Sequence, residues 1–319
     1  MPAAYGLTID DVRAARERIS GRVRRTPLVS SETLSRRLGT NVHLKLELFQ
    51  KTGSFKPRGA FNKILAAGLP AGHRVVAVSG GNHAQAVAYA AHALGLRSTI
   101  FMPRSTPANY LDATIGYGAE VVLVETIAEA FETMARHQRE GATAVHPFDD
   151  PYVLAGQGTV GLEILEDLPG ATDLVVSIGG GGFIGGVAVA AKAINPKIRI
   201  WGVETVGADA MAQALAAGEP VRLAAITSIA KTLGAPAVSQ TTLGLAQQYL
   251  ESVTVVPDAE AIAALKVLLE RAKVLTEPAA ACTLAAAERL RENFAKDSQV
   301  VLVLCGGNVA LSDVCGYAA

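Results

Sequence analysis

The chain has no excess of either charge, no long apolar run and too few cysteines to be stapled, and each shortage closes off a class of function. Lysine plus arginine number 29 and aspartate plus glutamate 29, with no basic block along the chain. Neither a nucleic-acid groove nor an anionic membrane surface is therefore implied as a partner. No stretch approaches the roughly 20 apolar residues that a bilayer span requires. Met1 to Gly6 lacks the basic stretch and apolar core of a leader. Three cysteines, Cys282, Cys305 and Cys315, make no paired framework and lack Cys-x-x-Cys spacing, so a reducing, cytoplasmic setting is expected. His43, His73, His92 and His137 have no metal-ligand spacing and read as solvated or capping side chains. No fixed-period repeat or low-complexity tract points to a solenoid or a disordered tail.

What is present is a chain of 319 residues, 50% of them apolar, enough for a large core and two domains. Short β-branched runs alternate with Ala-rich stretches of helical period, the pattern of a mostly parallel sheet covered by helices. Strands are expected at Val42 to Leu48, Arg74 to Val78, Ser98 to Met102, Glu120 to Val124, Leu174 to Ile178, Arg199 to Val203, Val253 to Val256 and Val300 to Leu304. Expected helices include Asp10 to Ser20, His83 to Leu94, Ile127 to Glu140, Ile184 to Ile194, Ala259 to Ala272 and Pro278 to Asn293. That is many strands for one sheet. The Pro/Asp-rich segment Val145 to Pro151 suits a crossover between two sheets.

Three of these strands run into small, glycine-rich turns, where open α/β sheets bind ligands. Val75 to Val78 leads into Ser79-Gly80-Gly81-Asn82-His83, whose amides at a helix start favour a carboxylate. Val175 to Ile178 leads into Gly179-Gly180-Gly181-Gly182-Phe183, where the backbone can wrap a phosphate with no Cβ in the way. No Gly-Lys-Ser/Thr follows and the dinucleotide fingerprint is missing, so a monophosphate is the better match. Val301 to Leu304 leads into Cys305-Gly306-Gly307-Asn308, a polar side chain at a strand end able to meet a ring heteroatom. Any one of these is ordinary turn chemistry. Their coincidence is what carries weight.

Together with Ser54-Phe55-Lys56-Pro57-Arg58-Gly59-Ala60, His146-Pro147, Gly156-Gln157-Gly158-Thr159 and Glu277-Pro278-Ala279, these motifs resemble the fold type II pyridoxal-phosphate enzymes. The serine/threonine dehydratase and serine racemase group is the nearest match, and the likeness spans nearly the whole chain. The resemblance implies an α/β architecture of two open, twisted, mostly parallel sheets covered by helices, as in the tryptophan synthase β-like fold. Residues 1–70 and 147–319 would form a large cofactor-binding domain, and 71–146 a small one. It implies pyridoxal 5'-phosphate held by Lys56 as a Schiff base, with Phe55 against its ring and Asn82 on its ring hydroxyl. Gly179, Gly180, Gly181 and Gly182 would hold its phosphate, and Cys305 would face the pyridine nitrogen. Ser79, Gly81, Asn82 and His83 would receive the substrate carboxylate. Lys56 would take the α-proton, and a homodimer is the usual assembly.

The stretch Ile226 to Gly234 is similar to the serine dehydratase branch, in which the Glu204 carboxylate and the carbonyls of Ala208, Leu233 and Ala235 would coordinate potassium or sodium. The other reading is that Glu204 only caps its turn. Ala210 stands where racemases place a second carboxylate, which counts against a divalent ion. Gly80 stands where they carry a serine, so elimination is favoured over racemisation and room is expected beside the substrate for a β-substituent as large as phenyl. The implied activity is conversion of a β-hydroxy amino acid such as threonine, serine or phenylserine to a 2-oxo acid and ammonia. The alternatives are β-replacement as in cysteine synthases, racemisation, and a non-catalytic phosphate-ligand module. Of the remaining residues, Arg58 is expected to pair with a surface carboxylate, and Cys282 and Cys315 to be buried or half-buried. Glu277 either lines the pocket or places an anion at the helix opened by Pro278.

Overall fold

The computed structural model describes residues 6–318; residues 1–5, where no leader is expected, lie outside the described residues. In chain order the strands are β1 (Leu28–Ser30), β2 (Asn41–Leu46), β3 (Arg74–Val78), β4 (Arg97–Pro103), β5 (Glu120–Val124), β6 (Thr143–Ala144), β7 (Asp173–Ser177), β8 (Arg199–Thr205), β9 (Ser252–Val256) and β10 (Gln299–Leu304). They make two sheets, one of six strands in the order β1-β2-β10-β7-β8-β9 and one of four in the order β5-β4-β3-β6. Every pairing is parallel except β1 with β2.

The central strands are apolar without alternation because helices cover both faces. Val300 to Leu304 of β10 and Leu174 to Val176 of β7 are all 0% exposed. Leu302 sits in register between Leu44 and Val175. The strands that composition does not announce are β1 and β6, of three and two residues, which carry no apolar run. Two expected helices change character near their ends. Asp258–Val267 passes into a π-turn at Leu268–Ala272, closed by Lys273 in the left-handed region, and Pro278–Leu290 ends in a 3-10 turn.

A helix that glycine content disguises in the sequence, Pro151–Asp167, organises the interior. Asp150 caps it by accepting from the Tyr152 and Val153 amides at 2.9 and 3.1 Å, with Pro151 in the first turn. Its internal glycines bring two other helices to backbone contact. A Cβ at Gly158 would stand 2.7 Å from the Gly186 carbonyl oxygen, and one at Gly161 2.8 Å from that of Val187. On the other side a Cβ at Gly156 would stand 2.7 Å from the Gly59 Cα. The helix Pro57–Ala66, which follows Lys56, and the helix Gly182–Ile194, which follows the tetraglycine turn, are thus packed against one spine. Among the described residues no helix is long and apolar enough to cross a membrane.

Propensity and packing oppose each other at these glycines. Alanine is about 1 kcal/mol better than glycine in a helix interior, but an added methyl in a closed interface costs about 1–3 kcal/mol. Gly158→Ala is expected to lower the unfolding midpoint, whereas Gly116→Ala, at a helix end with nothing within 4 Å of the new Cβ, is expected to hold or raise it. Thermal melts of the two variants check this; equal shifts would remove the backbone-contact argument.

Candidate active site

Lys56 sits at the N-terminal boundary of the helix Pro57–Ala66, directly after a bridge that joins Ser54 to Gly306 and so ties this turn to the end of β10. The Phe55 amide donates to the Cys305 carbonyl at 3.1 Å. Among the described residues the Lys56 ammonium finds no carboxylate within bonding reach and donates instead to the Pro147 carbonyl at 2.8 Å. Burial lowers its pKa to about 8, with Cys305 and Glu277 opposing the shift. Phe55 stacks on Phe183, ring centroids 3.9 Å apart, which pins the turn to the first residues of the helix Gly182–Ile194.

Arg58 corrects the expectation of a surface pair. It is 0% exposed, and its guanidinium donates to Glu47 at 2.8 Å and to Glu163 at 2.6 and 2.9 Å. Lys45, also buried, donates to Glu163 at 2.6 Å. Burial pulls the guanidinium down, but Glu47 and Glu163 outweigh it and hold Arg58 above its ordinary value.

The tetraglycine turn is a cradle that side chains would fill. A Cβ at Gly180 would fall on the Phe148 ring, and one at Gly179 would stand 3.1 Å from the Leu233 carbonyl oxygen. Gly181 has φ 86°, open to glycine at little cost, and the helix it precedes has no side-chain cap. The orphan amides and the dipole of that helix make an anion site. The second turn is built the same way. The helix Asn82–Ala93 also lacks a side-chain cap, while the Ser79 hydroxyl accepts from the Gly81 amide at 3.0 Å.

Asn82 is held from both ends. Its Nδ2 donates to the Glu277 carboxylate at 2.9 and 3.2 Å, and its Oδ1 accepts from Asn308 Nδ2 at 2.8 Å. Glu277 therefore lines the pocket and caps nothing. Thr232 also donates to it, at 2.9 Å. Burial raises Glu277 to about 7, against these hydrogen bonds and Lys56, which lower it. The His83 Nε2 bonds the Val145 carbonyl at 2.9 Å, and burial with the nearby Lys56 lowers its pKa to about 3. Its ring is therefore neutral, with the proton on Nε2, and its other nitrogen has no proton to offer a carboxylate. Only the His83 backbone amide remains for that task. The Cys305 thiol accepts from Ser177 Oγ at 3.3 Å, and burial together with Glu277 pushes it above the ordinary thiol value. It stays a neutral thiol.

These groups face one cavity of about 470 Å³, lined by Lys56, the 79–83 turn, the tetraglycine turn, Glu277 and Cys305. Thr106, which lies outside every sequence motif, also lines it, as do Phe148, Ser177 and Thr232, which lie in motif segments but carry no role that the sequence assigns. Gly80 leaves less room than expected, because Thr106 Oγ1 lies 2.8 Å from the position of its missing Cβ. Glu204 caps a helix from the end of β8, its two oxygens accepting from the Met211 and Ala212 amides at 2.9 and 2.8 Å. Burial raises it to about 8, against those two hydrogen bonds. Ala208 and Leu233 are buried, and the Leu233 carbonyl accepts from the Ala235 amide at 2.7 Å. Cys282 is buried, and Cys315 is exposed rather than half-buried.

The family model described as pyridoxal-phosphate dependent enzyme matches residues 19–306. An L-threonine ammonia-lyase of Thermotoga maritima is 42% identical over 306 residues, 95% of this chain and 76% of that protein. The structure of maize serine racemase superposes with a TM-score of 0.92 at 39% identity, covering 98% of this chain and 97% of that one. A threonine deaminase from T.th. does so with a TM-score of 0.86 at 36% identity, over 95% and 99%.

A carboxyl that binds its proton more tightly folded than unfolded makes stability fall as pH rises. For Glu277 the fall runs from about 4.5 to about 7 and levels off above. Glu277→Gln keeps an acceptor for Thr232 and Asn82 without the buried charge. In ligand-free protein this variant is expected to be stabilised at pH 8, on the order of 3 kcal/mol, and little changed at pH 5. Urea unfolding at the two pH values checks it, and a gain independent of pH would refute it.

Proposed function

The chain belongs to the pyridoxal-phosphate-dependent enzyme family, and from that premise we propose that it is an ammonia-lyase that converts a β-hydroxy amino acid, threonine or serine, to a 2-oxo acid and ammonia. The observation that carries the chemistry is a half-buried lysine, pKa about 8, with no carboxylate partner among the described residues, in a cavity bounded on one side by the tetraglycine turn. Relatives that are ammonia-lyases or deaminases of threonine and serine support the reaction class.

The residues present fit the cofactor. At Gly180, Gly181 and Gly182 an added Cβ would collide with Phe148, Thr242 and Met211, so the turn keeps a bare backbone at an uncapped helix start suited to a phosphate. Lys56 supplies the amine that holds the aldehyde. Asn82, Phe55 and Cys305 line the same cavity and would hold the ring, Asn82 through its amide, Phe55 by packing and Cys305 as a neutral thiol. When bound, pyridoxal phosphate supplies an electron sink for the pair released at the substrate α-carbon.

The chain's own groups bind the substrate and move its α-proton. The substrate carboxylate is taken by the amides of the 79–83 turn, where the uncapped helix Asn82–Ala93 presents its positive end. Lys56 takes the α-proton on its Nζ. Burial helps here because it makes the free amine available near neutral pH. Gly80 itself has no side chain that could return a proton, which favours elimination over racemisation. A monovalent cation belongs to the reading as a second element, with Glu204 and the carbonyls of Ala208, Leu233 and Ala235 as hard oxygen donors. A cytoplasmic location goes with three unpaired cysteines, and a homodimer and a small domain at 71–146 complete the picture.

Lys56→Ala is expected to abolish 2-oxo acid release from threonine and serine while the fold, followed by circular dichroism, is unchanged. Turnover that survives the substitution would sink the assignment. Assays of wild type with phenylserine and 3-hydroxyaspartate in both stereochemical series define the substrate. Chiral analysis of residual serine separates elimination from racemisation, and a new amino acid formed with added thiol would mark β-replacement. Exchange of potassium or sodium for tetramethylammonium is expected to lower activity; an unchanged rate would remove the cation.

A further inference from the structure

We propose that Thr106 is a substrate-positioning residue, its hydroxyl hydrogen-bonded to an oxygen of the bound amino acid, either the carboxylate or the β-hydroxyl. The proposal rests on the ammonia-lyase reading of the same cavity.

Thr106 lies just past the end of β4, in the turn closed by its own amide on the Pro103 carbonyl at 2.9 Å. A threonine before a helix commonly caps it. This one does not. The helix Ala108–Gly116 starts at Pro107 with no side-chain cap. The Thr106 residue is half-buried, but its Oγ1 is out of reach of solvent and has no partner among the described residues. A buried hydroxyl left unpaired is costly and calls for a partner from outside the chain, a water or a ligand.

Its position says which ligand. Thr106 lines the same cavity as Lys56 and the 79–83 turn. Its Oγ1 stands 2.8 Å from where a Cβ on Gly80 would lie, with Pro103 Cδ next at 3.5 Å. Glycine at 80 is therefore what admits the hydroxyl to the turn. Gly80 and Thr106 act as one unit, in which the missing side chain of one makes space for the polar group of the other, 26 positions on. Thr106 lines the cavity while its Oγ1 packs on Gly80 out of reach of solvent, so the proposed bond forms by rotation about χ1 into the cavity, where the hydroxyl joins the amides of the 79–83 turn as a donor to the substrate's oxygens.

The test uses cofactor-loaded protein. Thr106→Val removes the hydroxyl at nearly constant shape and is expected to raise KM for threonine and serine about tenfold, the effect of one lost hydrogen bond. The visible absorbance of the bound cofactor and the melting temperature should stay as in wild type. Thr106→Ser should return KM to within about twofold, whereas a purely packing role would be rescued better by Val than by Ser. Alanine, which has no β-hydroxyl, and serine are then titrated by the absorbance change of the bound cofactor. Weakened binding of both places the hydroxyl on the carboxylate, and weakened binding of serine alone places it on the β-hydroxyl. Gly80→Ala should mimic the loss in wild type and add little in Thr106→Ala, since the new methyl displaces the same hydroxyl. Unchanged titrations and unchanged KM in Thr106→Val would overturn the proposal. Failure of the lyase reading shows differently: wild type itself then releases no 2-oxo acid, and the two titrations still report on Thr106.

Discussion

The cavity depends on a closed set of charges that never touches it. Arg58, Lys45, Glu47 and Glu163 are buried together, two cations with two anions, and the guanidinium fork spans both carboxylates. Thr159 and the Arg24 carbonyl take further guanidinium protons, at 3.1 and 3.3 Å. Replacing such a set by apolar side chains of equal volume is often neutral or stabilising, so its worth lies less in stability than in geometry. Arg58 is two residues beyond Lys56, Glu163 lies on the glycine-lined helix Pro151–Asp167, and Glu47 follows β2. The fork fixes the first turn of the lysine's helix to that spine and to the large sheet at once. A one-residue slip of that helix would strand a buried guanidinium.

The same neighbourhood treats its cations in opposite ways. Arg58 is embraced by carboxylates and held above its ordinary value, while Lys56 has only a carbonyl and is drawn down to about 8. Burial alone would depress both. What separates them is where the chain spends its acids. Glu47 and Glu163 are committed to Arg58 and Lys45, leaving Glu277 as the carboxylate that faces Lys56 across the cavity without an ion pair.

Much of this was legible in the sequence, because the informative signals are local. Valine runs mark β3, β5, β7, β9 and β10, and glycines after β3, β7 and β10 mark the ligand side of both sheets, since a turn that must come close to a ligand needs them within a few residues of a strand. Asn82 and Cys305 fall in such turns, and Lys56 in the Ser54 to Ala60 run that follows β2. The rest depends on partners far apart in the chain. Arg58 reads as a surface residue until Glu163, 105 positions away, is brought to it. Ser177, Thr232 and Thr106 are ordinary hydroxyls until Cys305, Glu277 and Gly80 arrive beside them. The helix Pro151–Asp167 hides because glycine argues against helix, a local preference overruled by a tertiary need for backbone contact at Gly156, Gly158 and Gly161.

One lever sets the protonation of the cavity. Lys56 and Glu277 both line the cavity, Glu277 buried and Lys56 half-buried, and the loss of surrounding water disfavours the charged form of each, lowering Lys56 to about 8 and raising Glu277 to about 7. Had they formed a direct ion pair, mutual attraction would have driven the two values apart and locked both charges in place. Keeping them separate, with Asn82 and Thr232 on the carboxylate and the Pro147 carbonyl on the amine, leaves both within about a unit of neutral pH. A group can give and take a proton efficiently only when its pKa lies near the working pH. The cavity reaches that condition through burial and the placement of two acids elsewhere. The charge cluster around Arg58 is thus what makes an unpaired Lys56 sustainable, by holding its helix in place without lending it a counter-ion.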